Sequence, residues 1–226
     1  MKKIVVFTGA GISAESGLGT FRDSGGLWDN YKIEDVATPE AFKKNPELVL
    51  EFYNIRRRQL LSSSPNSAHY ALNKLQQNFN LQIITQNIDD LHERSGSNNV
   101  LHLHGELRQS MSTLDNKLYE IEGSELVLGD LCPNGSQLRP NVVWFGEAVP
   151  MMDVAIETVK TADIFIIIGT SLNVYPAASL IHYTSNSCEK YIIDPNADDY
   201  QGINVIRKKA SESVPILVDQ LISQNQ

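Results

Sequence analysis

The chain has 226 residues and is 42% hydrophobic, enough for one substantial core or a core with a small appendage. A formal net charge of -8 argues against nucleic acid and anionic membrane surfaces as partners, while leaving room for a local phosphate-binding patch. Two cysteines, Cys132 and Cys188, imply no disulfide framework, and no stretch approaches transmembrane length, so a soluble cytoplasmic protein is expected.

The opening MKKIVVFTGAG is basic like a signal peptide, but its apolar run stops at Thr8 and suits a buried strand. Gly9-x-Gly11-x-x-Ala14 follows directly. Such glycines let backbone approach a pyrophosphate at a helix N-terminus, and the same signature serves a plain strand–helix turn. The next stretch, TFRDSGGLWDNYKIED, presents no acidic residue on a second strand about 20 positions on. Ordinary hydride transfer is therefore disfavoured, and a bound dinucleotide could itself be a reactant.

NPELVLEFYNIRRRQLL predicts a helix with Asn45 as cap, Pro46 in the first turn and an apolar stripe at Val49, Phe52, Tyr53 and Leu60. Arg56 falls on that stripe, three residues after Tyr53. A buried guanidinium needs an anion: an internal carboxylate, or a ligand held in a bidentate fork with the Tyr53 hydroxyl one turn away, unless its stem snorkels to water. Arg57 and Arg58 are expected on other, solvated faces.

Further along, PNSAHYALNKLQQNF reads as a helix and LQIIT as a buried strand. Gln86, Asn87 and Asp89 lie at its carboxyl end, where open α/β sheets bind ligands, although Asn87 and Asp89 equally suit caps of the helix beginning IDDLH. NVLHLH places His102 and His104 on one side of a strand. Either imidazole suits a general base or a structural hydrogen-bonding role, and the pattern does not rank them. His69, His92 and His182 fit structural roles. Residues 106–140 look polar and irregular, and NVVWFGE is an apolar strand candidate. ADIFIIIG, KYIID and INVIR read as strands, and VAIETVKTA, YPAASLIHYT and SVPILVDQLI as helices. The alternation implies an α/β doubly wound parallel sheet. Residues 27–64 (mainly helical) and 106–140 interrupt it, so a smaller inserted lobe is expected there, with the main lobe over about 1–26, 65–105 and 141–226.

TGAGISAESGLGTFRD, TQNIDDLH, HLHGEL, NVVWFGE and GTSLNVYPAA occur in the order and approximate spacing of sirtuins, and the chain resembles that family of NAD-dependent protein deacylases over essentially its whole length. ATPEAFKKNPELVLEFYNIRRRQL further resembles the class that removes acidic acyl groups. The resemblance implies a Rossmann-like lobe and a smaller lobe, with NAD and an acyl-lysine protein or peptide meeting between them. The products would be nicotinamide, free lysine and O-acyl-ADP-ribose. It selects His104 as the catalytic base, has Gln86 and Asn87 order the ribose hydroxyls, and gives Asp89 the nicotinamide carboxamide. Phe21 would screen the reacting carbon, and Arg22, beside Asp23, would orient phosphate or ribose. Gly9, Ala10, Gly11, Glu15, Gly169, Thr170 and Ser171 would complete the NAD cradle. Val142, Val143, Trp144, Phe145 and Gly146, with Glu147 after them, would pair with extended substrate, while Tyr53 and Arg56 would read succinyl, malonyl or glutaryl lysine. An ADP-ribosyltransferase and a non-catalytic NAD or ADP-ribose binder are the competing readings. Nothing sets an oligomeric state, and a monomer is the default expectation.

Two departures stand out. The family's structural zinc needs two C-x-x-C pairs, but 106–141 contains only Cys132, so no zinc site is expected. Ile192 is taken to occupy the place of an asparagine beside the adenosine ribose, which would cost NAD binding about 1 kcal/mol.

Overall fold

A computed structural model describes residues 1–19, 30–170, 172 and 174–225. Buried apolar runs form six parallel strands: β1 (Lys3–Thr8), β2 (Asn80–Thr85), β3 (Val100–His102), β7 (Ile164–Ile168), β8 (Glu189–Ile193) and β9 (Asn204–Ile206). Their order, β3-β2-β1-β7-β8-β9, reverses direction between β1 and β7. In a doubly wound sheet the crevice at such a switch point is where ligands bind.

Because strand side chains alternate, the central strands feed two separate cores. Ile4, Val6, Ile83 and Ile166 pack against Leu72 and Leu75 of α5 (Ser67–Leu75) and Val214, Leu217 and Val218 of α8 (Ala210–Gln224). On the other face Val5, Phe7, Phe165 and Ile167 meet Ala155 and Val159 of α7 (Met152–Lys160) and Leu180. Leu180 lies in Ala177–Tyr183, which forms a 3-10 rather than an α-helix. Ile192 belongs to this second core at 1% exposure, paired with Ile167 and Val205. It therefore cannot stand beside a ribose, which corrects the expectation for that position. The residue reaching the carboxyl edge of β8 is Asp194, whose carboxylate accepts from the Asn196 amide.

Residues 30–64 are helical as expected: α2 (Ile33–Val36), α3 (Pro39–Lys44) and α4 (Pro46–Ser62). The Asn45 side chain caps α4 by accepting from the Leu48 amide at 3.1 Å. Val49, Phe52, Tyr53 and Leu60 pack with Ile88 and Leu91 from the chain after β2 and with Leu107, Val142 and Trp144 on the smaller sheet's side, which ties α4 to the segment that follows β2 and to the second sheet.

Two expectations are corrected here. The 106–140 segment is not simply irregular: β4 (Gly105–Ser112), β5 (Leu118–Glu120) and β6 (Leu138–Val142) form an antiparallel sheet in the order β5-β4-β6. Buried serines caused the misreading, since Ser110 and Ser112 occupy inward positions that an apolar alternation would have marked. Arg57 is not solvated but 0% exposed. Its Nε donates to Leu107 O at 2.7 Å and its Nη1 to Asn54 Oδ1 at 2.8 Å and Ser124 O at 2.7 Å. Arg58 is the surface residue, bridging Glu51 and Glu125.

Candidate functional site

At the switch point the turns after β1 and β7 touch. Gly9 N donates to Ile168 O at 3.0 Å, and Gly11 N to Gly169 O at 2.8 Å. A Cβ on Gly9 would lie 2.7 Å from Thr170 Cβ, and one on Gly11 2.7 Å from Gly169 Cα. Gly169 itself has φ +62°. These glycines are thus required first for one strand end to approach another, a reason additional to any ligand. Ala10 opens α1 (Ala10–Ala14) at the same corner.

The carboxyl ends of β2 and β3 add the polar side chains. Gln86 Nε2 donates to Thr170 Oγ1 at 3.2 Å. Asn87 does not cap the following helix; its Nδ2 donates to Gly9 O and Ser13 Oγ, both at 3.1 Å. Asn87 Oδ1 has no partner among the described residues. Asp89 accepts from the Leu91 amide at 3.2 Å. Burial raises its carboxyl pKa, against the Leu91 amide and Ser13 hydroxyl, which lower it. Glu15 sits apart from this group, exposed, with its carboxylate bonded to the amide (3.0 Å) and hydroxyl of Ser211 in the first turn of α8.

His102 and His104 grip consecutive carbonyls of the Gln86–Asn87 turn. His104 Nδ1 lies 2.9 Å from Gln86 O, and His102 Nδ1 3.1 Å from Asn87 O. A carbonyl only accepts, so both Nδ1 atoms carry hydrogen. The rings then differ at Nε2. That of His102 faces Glu93 Oε1 at 2.9 Å and is also a donor. That of His104 has no partner among the described residues, so in the neutral ring it is the basic nitrogen. Burial lowers the His104 pKa, with the Gln86 carbonyl opposing. Burial acts the same way on His102, but the Glu93 carboxylate outweighs it and raises the pKa overall.

The 142–147 segment lies alongside. Val142 ends β6 opposite Gly105, Val143 N donates to His104 O at 2.9 Å, and Phe145 N donates to Ala37 O at 3.0 Å. Phe145 is 46% exposed and Gly146 has φ +92°. Trp144 is buried; its indole Nε1 donates to the Tyr53 hydroxyl at 3.0 Å and its amide to Glu147 Oε2 at 2.8 Å. Glu147 in turn holds Arg139 through bonds of 2.6 and 3.0 Å, and the Arg139 guanidinium carbon stands 3.5 Å over the Trp144 ring. Sequence reasoning missed Arg139. The available signal was an arginine and a glutamate of opposite charge bracketing the apolar run in RPNVVWFGE.

Tyr53 and Arg56 come together as expected. The Arg56 guanidinium carbon is 5.9 Å from the centroids of both the Tyr53 and Phe52 rings. Burial lowers the Arg56 pKa, against the charges of Tyr53 and Asp89, which raise it. The Tyr53 phenol is pushed up to about 12 by burial, with Arg56 and Trp144 opposing. Phe21, Arg22, Asp23 and Ser171 lie outside the described residues.

The tip of the smaller sheet does not fit a tetrahedral thiolate site. Cys132 Sγ accepts from Ser112 Oγ at 3.5 Å, and Cys188 packs in the core behind β7. No group of three or more metal-ligating side chains is assembled among the described residues. The Gln137 side chain ties these turns instead: its Oε1 accepts from Gly129 N at 2.8 Å, and its Nε2 is shared among Val127 O, Asp130 O and Leu138 O at 2.9–3.1 Å.

A parallel sheet with amides, a carboxyl and an imidazole gathered at its switch point defines a nucleotide-binding α/β protein. Residues 9–176 match the Sir2 family, and the chain belongs to that family. It is 53% identical over 231 residues to an NAD-dependent protein deacylase of Bacteroides thetaiotaomicron, covering 98% of this chain and 99% of the relative. A protein of the same name from Helicobacter pylori is 51% identical over 225 residues, with 98% of each covered. Among solved structures, a Sir2 homologue–NAD complex superposes with a TM-score of 0.90 at 41% identity, covering all of this chain and 91% of that one. No described helix is long and apolar enough to cross a membrane.

Proposed function

We propose that the chain is an NAD-dependent protein-lysine deacylase that removes acetyl and acidic acyl groups, succinyl and malonyl among them. The acyl group passes to ADP-ribose with one water consumed, and nicotinamide and free lysine are released. The observation carrying this reading is the convergence of Gln86, Asn87, Asp89, Thr170 and His104 at the switch point, in a chain whose close relatives are named for the activity.

In this reading His104 is the general base. Its Nδ1–H is spent on Gln86 O, so Nε2 faces the ribose and takes the proton of the hydroxyl that attacks the acyl carbon. His102 is excluded from that task because both of its nitrogens donate. Asn87 is aimed by Gly9 and Ser13, leaving Oδ1 for a ribose hydroxyl, and Gln86 is held beside it by Thr170. Asp89 takes the nicotinamide carboxamide. Gly9, Ala10, Gly11 and Gly169 line the pyrophosphate path, Phe21, Arg22 and Ser171, which lie outside the described residues, are assigned to the same dinucleotide by family resemblance alone, and Asp194 at the edge of β8 is offered as the adenosine-ribose acceptor. Glu15 supports this corner through α8. The segment Val142–Gly146 receives the peptide backbone between the main lobe and a smaller lobe built from 27–64 and 106–140. Tyr53 and Arg56 form the far end of the acyl pocket, where a guanidinium and a phenol favour a carboxylate.

The test is nicotinamide release from NAD with succinyl-lysine and acetyl-lysine versions of one peptide. His104→Gln should lower both rates by roughly 100-fold or more, and Arg56→Met should depress succinyl turnover far more than acetyl turnover. Equal losses on both peptides with Arg56→Met would refute the acidic-acyl reading, and an unaffected His104→Gln would refute the assignment of the base.

A further inference from the structure

The Tyr53 ring is 1% exposed, and its hydroxyl oxygen receives the indole N–H of Trp144 at 3.0 Å. An indole N–H donates and never accepts. The phenolic proton therefore cannot turn back toward Trp144, and it finds no acceptor among the described residues. A buried hydroxyl left with an unused donor is costly, and nearly all such groups in folded proteins are satisfied. The missing partner must be an acceptor, and the Arg56 guanidinium carbon stands 5.9 Å from the centroid of the same ring.

Trp144 is itself held firmly. Its ring lies 3.5 Å beneath the Arg139 guanidinium, its amide is bonded to Glu147, and Glu147 grips Arg139 through both carboxylate oxygens. The indole thus has one orientation, with the N–H aimed at the phenol.

We propose that Trp144 is a specificity-determining positioning residue, whose indole N–H fixes the Tyr53 hydroxyl as a donor so that the pocket selects an acyl end that only accepts hydrogen bonds. An ionised carboxylate is such an end. An acetyl methyl offers no acceptor, and an amide or alcohol end offers one only while its own donors are left without an acceptor beside the fixed phenol and the guanidinium. This inference rests on the acidic-acyl reading of the Tyr53–Arg56 pocket.

The experiment measures kcat/KM for succinyl and acetyl forms of one peptide at saturating NAD, in the wild type, Trp144→Phe, Tyr53→Phe, the double variant and Arg56→Met. Trp144→Phe should lower the succinyl-to-acetyl ratio about tenfold, chiefly through the succinyl KM. In the Tyr53→Phe background the same replacement should move that ratio less than about twofold, because its effect passes through the phenol. A protein carrying benzothienylalanine at position 144 keeps the shape and the stacking on Arg139 while lacking only the N–H, and should reproduce the Trp144→Phe ratio even if that variant folds poorly. An unchanged ratio with the isostere, or an equal drop with and without the Tyr53 hydroxyl, overturns the inference while leaving the pocket reading intact. An unchanged ratio in Arg56→Met overturns the pocket reading, and this inference with it.

Discussion

Arg57→Met probes the least expected interaction in the protein. The guanidinium is fully buried between α4, β4 and the chain at Ser124, its Nη2 has no partner among the described residues, and burial pushes its pKa down to about 10, so it is still charged at neutral pH. Methionine would leave Leu107 O and Ser124 O without their donor, at about 1–3 kcal/mol each. Removing a buried cation with one unsatisfied nitrogen returns about 1–3 kcal/mol. Asn54 stays bonded to Leu126 through both ends of its amide, so it adds little. The net loss is about 2–3 kcal/mol, which for a chain of this size lowers Tm by roughly 5–10 °C. Differential scanning calorimetry at pH 7 measures it directly. Arg57→Lys should also destabilise, since one ammonium cannot span three acceptors set around a planar fork. A shift under about 2 °C, or a stabilised Arg57→Met protein, would show that desolvation cancels the three bonds and refute the bookkeeping.

Other consequences follow from the same geometry. Burial lowers the His104 pKa, so the neutral base persists into acid, and the acidic limb of kcat/KM should fall below pH 6.5; a limb above that value would contradict the assignment. His69 is fully buried with its pKa depressed to about 4 by that burial and its Nε2 without a partner among the described residues. The unfolded chain therefore binds the extra proton first as pH drops from about 6.5 to about 4, and roughly 3 kcal/mol of stability is lost over that window. Urea titrations of His69→Gln should show a correspondingly flatter pH dependence than wild type. Gln137→Ala should cost about 1–2 kcal/mol by releasing the turns at Val127, Gly129 and Asp130, and metal analysis of the purified protein should find no stoichiometric zinc. One zinc per chain would require a different account of that lobe.

The parallel sheet was legible because its central strands, β1 and β7, are runs of buried and largely β-branched residues, and the residues of the switch point were placed there because they follow such runs. What escaped was polar and buried. Arg57 lies four residues after Tyr53 and three before Leu60, so it shares the inward side of α4, but a charged residue carries no apolar signal. Ser110 and Ser112 hid β4 in the same way. Ile192 was misplaced for the opposite reason: the family resemblance at KYIIDPN set it in the place of an asparagine, whereas the strand pairing puts Ile192 in the core and Asp194 at the edge. The orientation of Tyr53 by Trp144 spans 91 positions and was invisible before folding.

The central claim is that the dinucleotide is consumed with the acyl group transferred to its ribose. Mass spectrometry of a reaction containing the protein, NAD and a succinyl-lysine peptide tests it most directly. The account predicts nicotinamide, free lysine peptide and O-succinyl-ADP-ribose in equal amounts. Intact NAD, or ADP-ribose attached to protein with the succinyl group still on lysine, would contradict it.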